Sequence, residues 1–257
     1  MLRDMESMRI SSAAASDVGQ SAEDGGTREV PQCVTRAKAF IFDFDGVLCD
    51  SEPVWRRTYN KALEPYGVSI PEEEYWEYWA SKGEGLEGQL RRHGITGVDI
   101  AMVQARQRAY YKEAILRHEV RLYKETPELL AHLLDARKGR PTIIASNSEA
   151  AVVEQLLRLG GAPVPPIVGS DGLRPKPAPD IFLAAARRLG VAPDEALVIE
   201  DAEKGIRAAR AGGFPVLLVR NLQNRSLQLM ADAEAASLGE LLAWVRSSGV
   251  QRSAGRS

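Results

Sequence analysis

The stretch Phe42-Asp43-Phe44-Asp45-Gly46-Val47-Leu48 places two carboxylates, two residues apart, at the end of an apolar run. The run itself, "AFIF" at 39–42, has the composition of a short parallel strand buried on both faces. Two like charges at such a place repel each other unless a cation or hydrogen-bond donors compensate them. Because ligands bind beyond the carboxyl ends of the strands in an open parallel sheet, the stretch predicts a binding site there.

Further apolar runs follow, and they predict the remaining strands at 141–146, 165–170, 196–201 and 215–220. Between them lie helical patterns that stop at glycines, as helices commonly do, near Gly160, Gly190 and Gly212. The alternation predicts an α/β fold with a doubly wound, Rossmann-like parallel sheet and helices on both faces.

One segment, from Pro53 to about Tyr123, interrupts this alternation with helical periodicity and no strand pattern. It contains all seven tyrosines and three of the four tryptophans but none of the five phenylalanines. This shift in composition predicts an inserted all-helical cap domain at 54–123 with a small core of its own. The α/β core domain is then formed by 37–53 and 124–247.

The two ends of the chain differ in composition from the rest. Residues 1–36 are rich in Ser, Ala, Gly and charge, and they predict a flexible tail, as residues 248–257 also do. The first tail lacks the apolar segment of a secretory signal, and its acidic residues outnumber its arginines, unlike those of a transit peptide. The two cysteines, Cys33 and Cys49, form no disulfide framework, and Cys49 predicts a reduced thiol in an intracellular protein. The predicted location is the cytoplasm, with an organelle as the alternative.

The overall charge argues against two classes of partner. The formal net charge is -2, which gives no electrostatic argument for nucleic acid. No apolar run approaches the length of a membrane span, so no membrane partner is predicted.

Side chains with a charge or a hydroxyl follow the later strands or stand in the proline-rich loop "RPKPAPD": Ser146, Lys176, Glu200 and Asp201. At the sheet edge they would meet Asp43 and Asp45. Carboxylates suit a hard divalent cation such as Mg²⁺, and a hydroxyl and an ammonium suit a phosphate. The set therefore predicts phosphoryl transfer, in which a protein mainly positions groups and neutralises charge.

The spacing suggests different roles for the two aspartates. A carboxylate is a competent nucleophile toward phosphorus, and Asp43 is predicted to form an aspartyl-phosphate. If the chain turns sharply at Gly46, Asp45 reaches the leaving oxygen. Asp45 would then protonate the leaving group and later deprotonate the attacking water.

Four stretches in order, "FDFDGVLCDSEP", "IIASNS", "RPKPAPDIF" and "VIEDAEKGI", resemble the four motifs of the haloacid dehalogenase superfamily. The chain is most similar to the phosphoglycolate phosphatase and beta-phosphoglucomutase-like group, whose helical cap follows the first motif. The resemblance covers roughly residues 38–247. It implies that Asp43 is the nucleophile, that Asp45 is the acid/base, and that the phosphate is bound by Ser146, Asn147 and Lys176. It also implies a Mg²⁺ site formed by Asp43, the Asp45 backbone carbonyl and Asp201. Glu200 would stand beside the metal, as a ligand or as a partner of the ligands.

The function implied is Mg²⁺-dependent hydrolysis of a small phosphorylated metabolite, either a sugar phosphate or a phosphoglycolate-like ester. In the predicted cap, the glycine-flanked loop at Lys82 resembles the specificity loop of capped family members. Lys82 is therefore predicted to touch the substrate, although the loop could equally be a plain turn between helices. Two further predictions are that Ser148 caps the helix beginning near Glu149 and that Lys204 is an exposed helix residue.

Four alternatives compete with the phosphatase. A phosphomutase is disfavoured because Trp55 stands where family members commonly carry histidine and Leu86 where mutases tend to carry arginine. A haloacid dehalogenase typically lacks the second aspartate, so Asp45 argues against it. A phosphoacceptor signalling domain has a different motif order and no long cap. A catalytically dead binding protein does not account for the complete set of acidic, hydroxyl and lysine residues.

Overall fold

The computed structural model describes residues 29–137, 139–170, 172–225 and 228–254. Within them the strands are β1 Ala39–Phe42, β2 Cys49–Asp50, β3 Arg121–Leu122, β4 Thr142–Ala145, β5 Ile167–Val168, β6 Ala196–Glu200, β7 Val216–Val219 and β8 Ala233–Ala235. The α-helices are α1 Gln32–Arg36, α2 Glu52–Leu63, α3 Glu72–Glu74, α4 Gly85–Arg92, α5 Ile100–Leu116, α6 Thr126–Leu134, α7 Ala150–Leu159, α8 Asp180–Leu189, α9 Glu203–Ala211 and α10 Leu238–Ala254. Short 3-10 helices occupy Glu64–Tyr66 and Pro193–Glu195, and a π-helix occupies Tyr75–Ser81.

Six strands form one parallel sheet in the order β5-β4-β1-β6-β7-β8. The first strand is central, with Phe42 paired to Ile144 of β4 and to Ile199 of β6. This arrangement confirms the predicted doubly wound α/β fold. The edge strand β8 has the sequence Ala-Glu-Ala, which carries no apolar run and gave no strand pattern.

The side chains of β1 alternate between two apolar cores on opposite faces of the sheet. Phe40 and Phe42 pack in one core with α6, α7 and α10. Ala39 and Ile41 pack in the other with α8 and α9. Because both faces are covered, every residue of β1 is buried, as its continuous apolar composition predicts.

The helices α2 to α5 lie between β2 and β3, and residues 52–116 are called the cap below. They enclose an apolar cluster separate from the two sheet cores, formed by Ala62, Leu63, Ile70, Tyr75, Trp79, Leu86, Leu90 and Val103. The chain passes between core and cap through an antiparallel ribbon in which Cys49 pairs with Leu122. The domain boundaries at 54 and 123 remain predictions.

Helices lie within both segments that the sequence predicts to be tails, and the tail boundaries remain predictions. Residues 32–36 form α1, whose Val34 is fully buried beside α10, and Arg140 donates hydrogen bonds to the backbone carbonyls of Val34 and Ala37. One buried valine in a five-residue helix is too short a pattern to detect by periodicity. At the other end, α10 continues through the predicted boundary to Ala254. The remainder of the first predicted tail, residues 1–28, lies outside the described residues.

None of the described helices combines the length and the apolar content that crossing a membrane requires.

Candidate active site

The turn after β1 places Asp43 and Asp45 at the carboxyl edge of the sheet. The Asp43 backbone N–H donates to the Ile199 carbonyl at 2.9 Å, which continues the pairing with β6. Gly46 has φ +81°, and a Cβ there would lie 2.1 Å from Oδ2 of Asp201. Glycine is thus required both by the backbone and by the close approach of Asp201. Asn221 holds this approach by donating to the Gly46 carbonyl and to Asp201 Oδ2, each at 2.9 Å.

Lys176 is buried between two carboxylates. Its Nζ lies 2.7 Å from Asp43 Oδ1 and 2.7 Å from Glu200 Oε1, and 4.7 Å from the ring centre of Phe182. Burial opposes the charged form of the lysine, but the two carboxylates outweigh it and raise the pKa of Lys176. The lysine is therefore a fixed positive charge that points at Asp43.

The Glu200 carboxylate accepts hydrogen bonds at both of its oxygens and orients Lys176. Its second oxygen, Oε2, accepts the backbone N–H groups of Asp201 and Ala202 at 3.0 and 3.2 Å. In α9, Gly205 leaves room for it, since a Cβ there would lie 1.8 Å from Glu200 Oε1. Both carboxylate oxygens are thus occupied by protein donors.

The acidic residues around Lys176 are incompletely neutralised. Burial, followed by repulsion from Glu200, raises the pKa of Asp43 to about 7, although Lys176 opposes the shift. Burial and the charges of Glu200 and Asp43 raise the pKa of Asp201 well above its usual range. Such crowding is the condition under which a cation stabilises a site.

The donor set fits a hard divalent cation. Carboxylate oxygens of Asp43, Glu200 and Asp201 lie within 4.8 Å of one another. Oxygen ligands of this kind suit Mg²⁺ better than a softer metal. Because both Glu200 oxygens already accept protein hydrogen bonds, Asp43 and Asp201 have the greater capacity for direct ligation.

Asp45 is surrounded by hydrogen-bond donors. Its Oδ1 accepts from Ser51 Oγ at 2.5 Å and from Trp55 Nε1 at 3.4 Å. Its Oδ2 accepts from Ser146 Oγ at 3.0 Å and from Ser148 Oγ at 2.7 Å. Ser146 and Ser148 belong to the sheet edge, Ser51 directly precedes the cap and Trp55 belongs to it, so Asp45 connects the two parts.

The predicted capping role of Ser148 is wrong. The N-cap residue of α7 is Glu149, and no side-chain hydrogen bond caps the helix. The Ser148 hydroxyl donates to Asp45, and its backbone N–H donates to Ser146 Oγ at 3.0 Å. Sequence spacing could not reveal this bond, because its two partners are 103 residues apart.

A cavity of about 260 Å³ opens above this group, between the sheet edge and the cap. Its floor includes most of the predicted site residues, namely Asp43, Asp45, Ser146, Asn147, Lys176 and Asp201. Glu200 lies behind Lys176 and does not line it. The walls include aromatic side chains of the cap, which are Trp55, Tyr59, Tyr75, Trp76 and Trp79.

Lys82 does not line the cavity, and its contact with substrate remains a prediction. Its Nζ lies 2.8 Å from Glu77 Oε1 and 4.4 Å from the ring centre of Tyr78, and 37% of its side chain is exposed. Besides Lys176 on the floor, a second lysine lines the cavity, which is Lys204 of α9. The sequence predicts this residue to be exposed. Only the contact between α9 and the cap distinguishes it from a surface lysine, and sequence alone does not show that contact.

Cys49 plays no part in this chemistry. Its thiol donates to the Arg121 carbonyl at 3.3 Å, and burial raises its pKa well above the usual range. A protonated thiol held in the ribbon is not an activated nucleophile.

Comparisons with known proteins agree with these motifs. A family model described as haloacid dehalogenase-like hydrolase matches residues 37–213. The chain is 31% identical over 199 residues to the fructose-1-phosphate phosphatase YqaB of Escherichia coli, covering 73% of this chain and 98% of the relative. It is 33% identical over 201 residues to a probable pseudouridine-5'-phosphatase of Drosophila melanogaster, covering 75% and 82%. Among solved structures, CbbY from Rhodobacter sphaeroides in complex with phosphate superposes with a TM-score of 0.69 at 27% identity, covering 82% of this chain and 99% of that one.

Proposed function

Because this chain belongs to the haloacid dehalogenase-like hydrolases and is a phosphoric monoester hydrolase, we propose that it is a Mg²⁺-dependent sugar phosphatase that works through an aspartyl-phosphate. The observation that carries the proposal is the placement of Asp43, at the floor of the cavity and 2.7 Å from the buried ammonium of Lys176. The sugar phosphate class is supported by the fructose-1-phosphate phosphatase among the relatives.

The first half of the proposed reaction transfers the phosphoryl group to the protein. Asp43 attacks phosphorus, the bond to the leaving oxygen breaks, and Asp45 gives that oxygen its proton. Lys176, Ser146 and Asn147 bind the phosphoryl oxygens. Ser146 can do so only if its hydroxyl turns away from Asp45, to which it now donates.

The second half returns the protein to its starting state. Water attacks phosphorus of the aspartyl-phosphate, Asp45 takes a proton from that water, and the bond to Asp43 breaks to release phosphate. Asp43 and Asp201, with the Asp45 backbone carbonyl, would hold Mg²⁺, and Glu200 would align Lys176 beside them. Bound Mg²⁺ supplies charge neutralisation for the phosphoryl oxygens.

The cap, with its proposed boundaries at 54 and 123, would exclude bulk water once substrate is bound. The aromatic lining supports this proposal, since it surrounds the space in which the leaving group would lie.

The test is phosphate release from fructose 1-phosphate with and without Mg²⁺. We expect Asp43→Asn to lose at least about 10³-fold in kcat and Asp45→Asn about 10²- to 10⁴-fold. Glu87→Gln, at an exposed carboxyl of α4, is the control and should keep full activity. Near-normal turnover of Asp43→Asn would contradict the mechanism, and an isomerised sugar phosphate without free phosphate would indicate a mutase.

A further inference from the structure

A second polar group lines the cavity, formed by Glu52, Tyr75 and Lys204. The Tyr75 hydroxyl donates to Glu52 Oε2 at 2.5 Å. Burial raises the pKa of Glu52, and the nearby charge of Lys204 is the largest opposing influence. Glu52 of the cap and Lys204 of the core line the same cavity.

The aliphatic part of the Lys204 side chain packs against the cap, and its ammonium has no ion-pair partner among the described residues. A Cβ on Gly83, which has φ +77°, would lie 3.1 Å from Cδ and 3.5 Å from Cβ of Lys204, so the cap loop packs on the methylenes. Among the residues that the structure describes, Lys204 has no side-chain hydrogen bond and no carboxylate within 4.0 Å. The loop that carries Lys82 therefore also positions Lys204.

The upper cavity is the part lined by residues other than the floor residues, and its charges discriminate between classes of leaving group. Two carboxylates, Asp50 and Glu52, line it together with the single ammonium of Lys204, and no described arginine does. A second phosphate or a carboxylate on the substrate would meet this net negative charge. A hydroxyl, in contrast, can accept from Lys204 and donate to Glu52. The aromatic walls offer apolar faces to the carbon atoms between such hydroxyls.

We propose that Lys204 and Glu52 are specificity-determining residues that bind hydroxyls of the leaving group. The cavity then selects the monophosphate of an uncharged sugar or polyol over bisphosphates and phosphocarboxylates. The inference rests on the proposed function, because it concerns the leaving group of the same reaction.

The experiment compares kcat/KM for fructose 1-phosphate with that for p-nitrophenyl phosphate, a monoester whose leaving group has no hydroxyl besides the ester oxygen. In Lys204→Met we expect the ratio of the two values to fall at least about tenfold, mainly through KM for the sugar ester. Lys61→Met is the matched control, an exposed lysine of α2 that does not line the cavity, and should leave the ratio unchanged. Glu52→Gln should raise the activity on fructose 1,6-bisphosphate relative to the monophosphate.

The outcomes separate the two proposals. If wild-type protein hydrolyses neither ester with Mg²⁺, the proposed function fails. If both esters are hydrolysed and Lys204→Met keeps the wild-type ratio, the specificity role fails while the phosphatase stands. A wild-type preference for fructose 1,6-bisphosphate or phosphoglycolate over the monophosphate would also overturn the selection of an uncharged leaving group.

Discussion

Asp43 and Asp45 are two residues apart, yet their side chains lie in different surroundings. Asp43 is buried against Lys176, whereas Asp45 accepts four hydrogen bonds from hydroxyl and indole donors. Different surroundings are how two carboxyls of one site take different roles. The sequence predicted both aspartates, because the motif is local. It did not predict the bonds from Trp55 or Ser148, because they depend on how distant segments meet.

At the scale of single residues, we expect the affinity of the site for Mg²⁺ to depend on pH. Since the pKa of Asp43 is raised to about 7 in the metal-free protein, its carboxyl keeps a proton below that pH, and the proton competes with Mg²⁺. The apparent Kd for Mg²⁺, measured by calorimetry, should rise by about tenfold per unit as pH falls below 7. An affinity that is the same at pH 6 and pH 8 would show that Asp43 does not ligate the metal.

At the scale of the elements, the geometry of the site is determined by the carboxyl ends of the strands and by the N-termini of the helices that follow them. Apolar runs predicted β1, β4, β6 and β7, since each is four or five buried residues long. The same runs located the acidic residues at the ends of β1 and β6. The ribbon of β2 and β3 was missed because two-residue strands carry no periodicity.

The close approach of α9 to the end of β6 gives a prediction at this scale. Gly205→Ala places a methyl 1.8 Å from Glu200 Oε1, so Glu200 must move and its contact with Lys176 must loosen. We expect unfolding free energy to fall by about 1–3 kcal/mol in urea denaturation, together with a loss of phosphatase activity.

The control is Gly239→Ala in α10, where the nearest atom would be 3.5 Å from the new Cβ and stability should be kept or improved. If both variants unfold at the same urea concentration as the wild type, the packing around Glu200 is not as tight as described.

For the whole molecule, the cavity exists only because two parts of the chain meet. The core supplies Asp43 and Lys204, and the cap supplies Glu52 and the aromatic walls. The fold of each part followed from local patterns in the sequence. The presence of Lys204 in the cavity did not, because it depends on the packing between the two parts.

The helix α1 provides the test at this scale. A chain that begins at residue 37 lacks the buried Val34 and one of the two carbonyl acceptors of Arg140. Compared with a chain that begins at residue 29, we expect it to lose about 2–4 kcal/mol of unfolding free energy, from the buried Val34 side chain and the lost hydrogen bond between Arg140 and the Val34 carbonyl. Equal melting temperatures of the two chains would contradict a stabilising role of α1 and would support the prediction that residues up to 36 are a tail.

The central claim is that Asp43 carries the phosphoryl group during turnover. The most direct measurement is to quench the protein in acid during turnover of fructose 1-phosphate, reduce it with borohydride and map the modified peptide by mass spectrometry. An aspartyl-phosphate is an acyl phosphate, which borohydride reduces, so residue 43 should appear as homoserine in a sample that was turning over substrate. The same treatment of Asp43→Asn should show no conversion. Wild-type turnover with residue 43 unmodified, or with the label on another residue, would contradict the account.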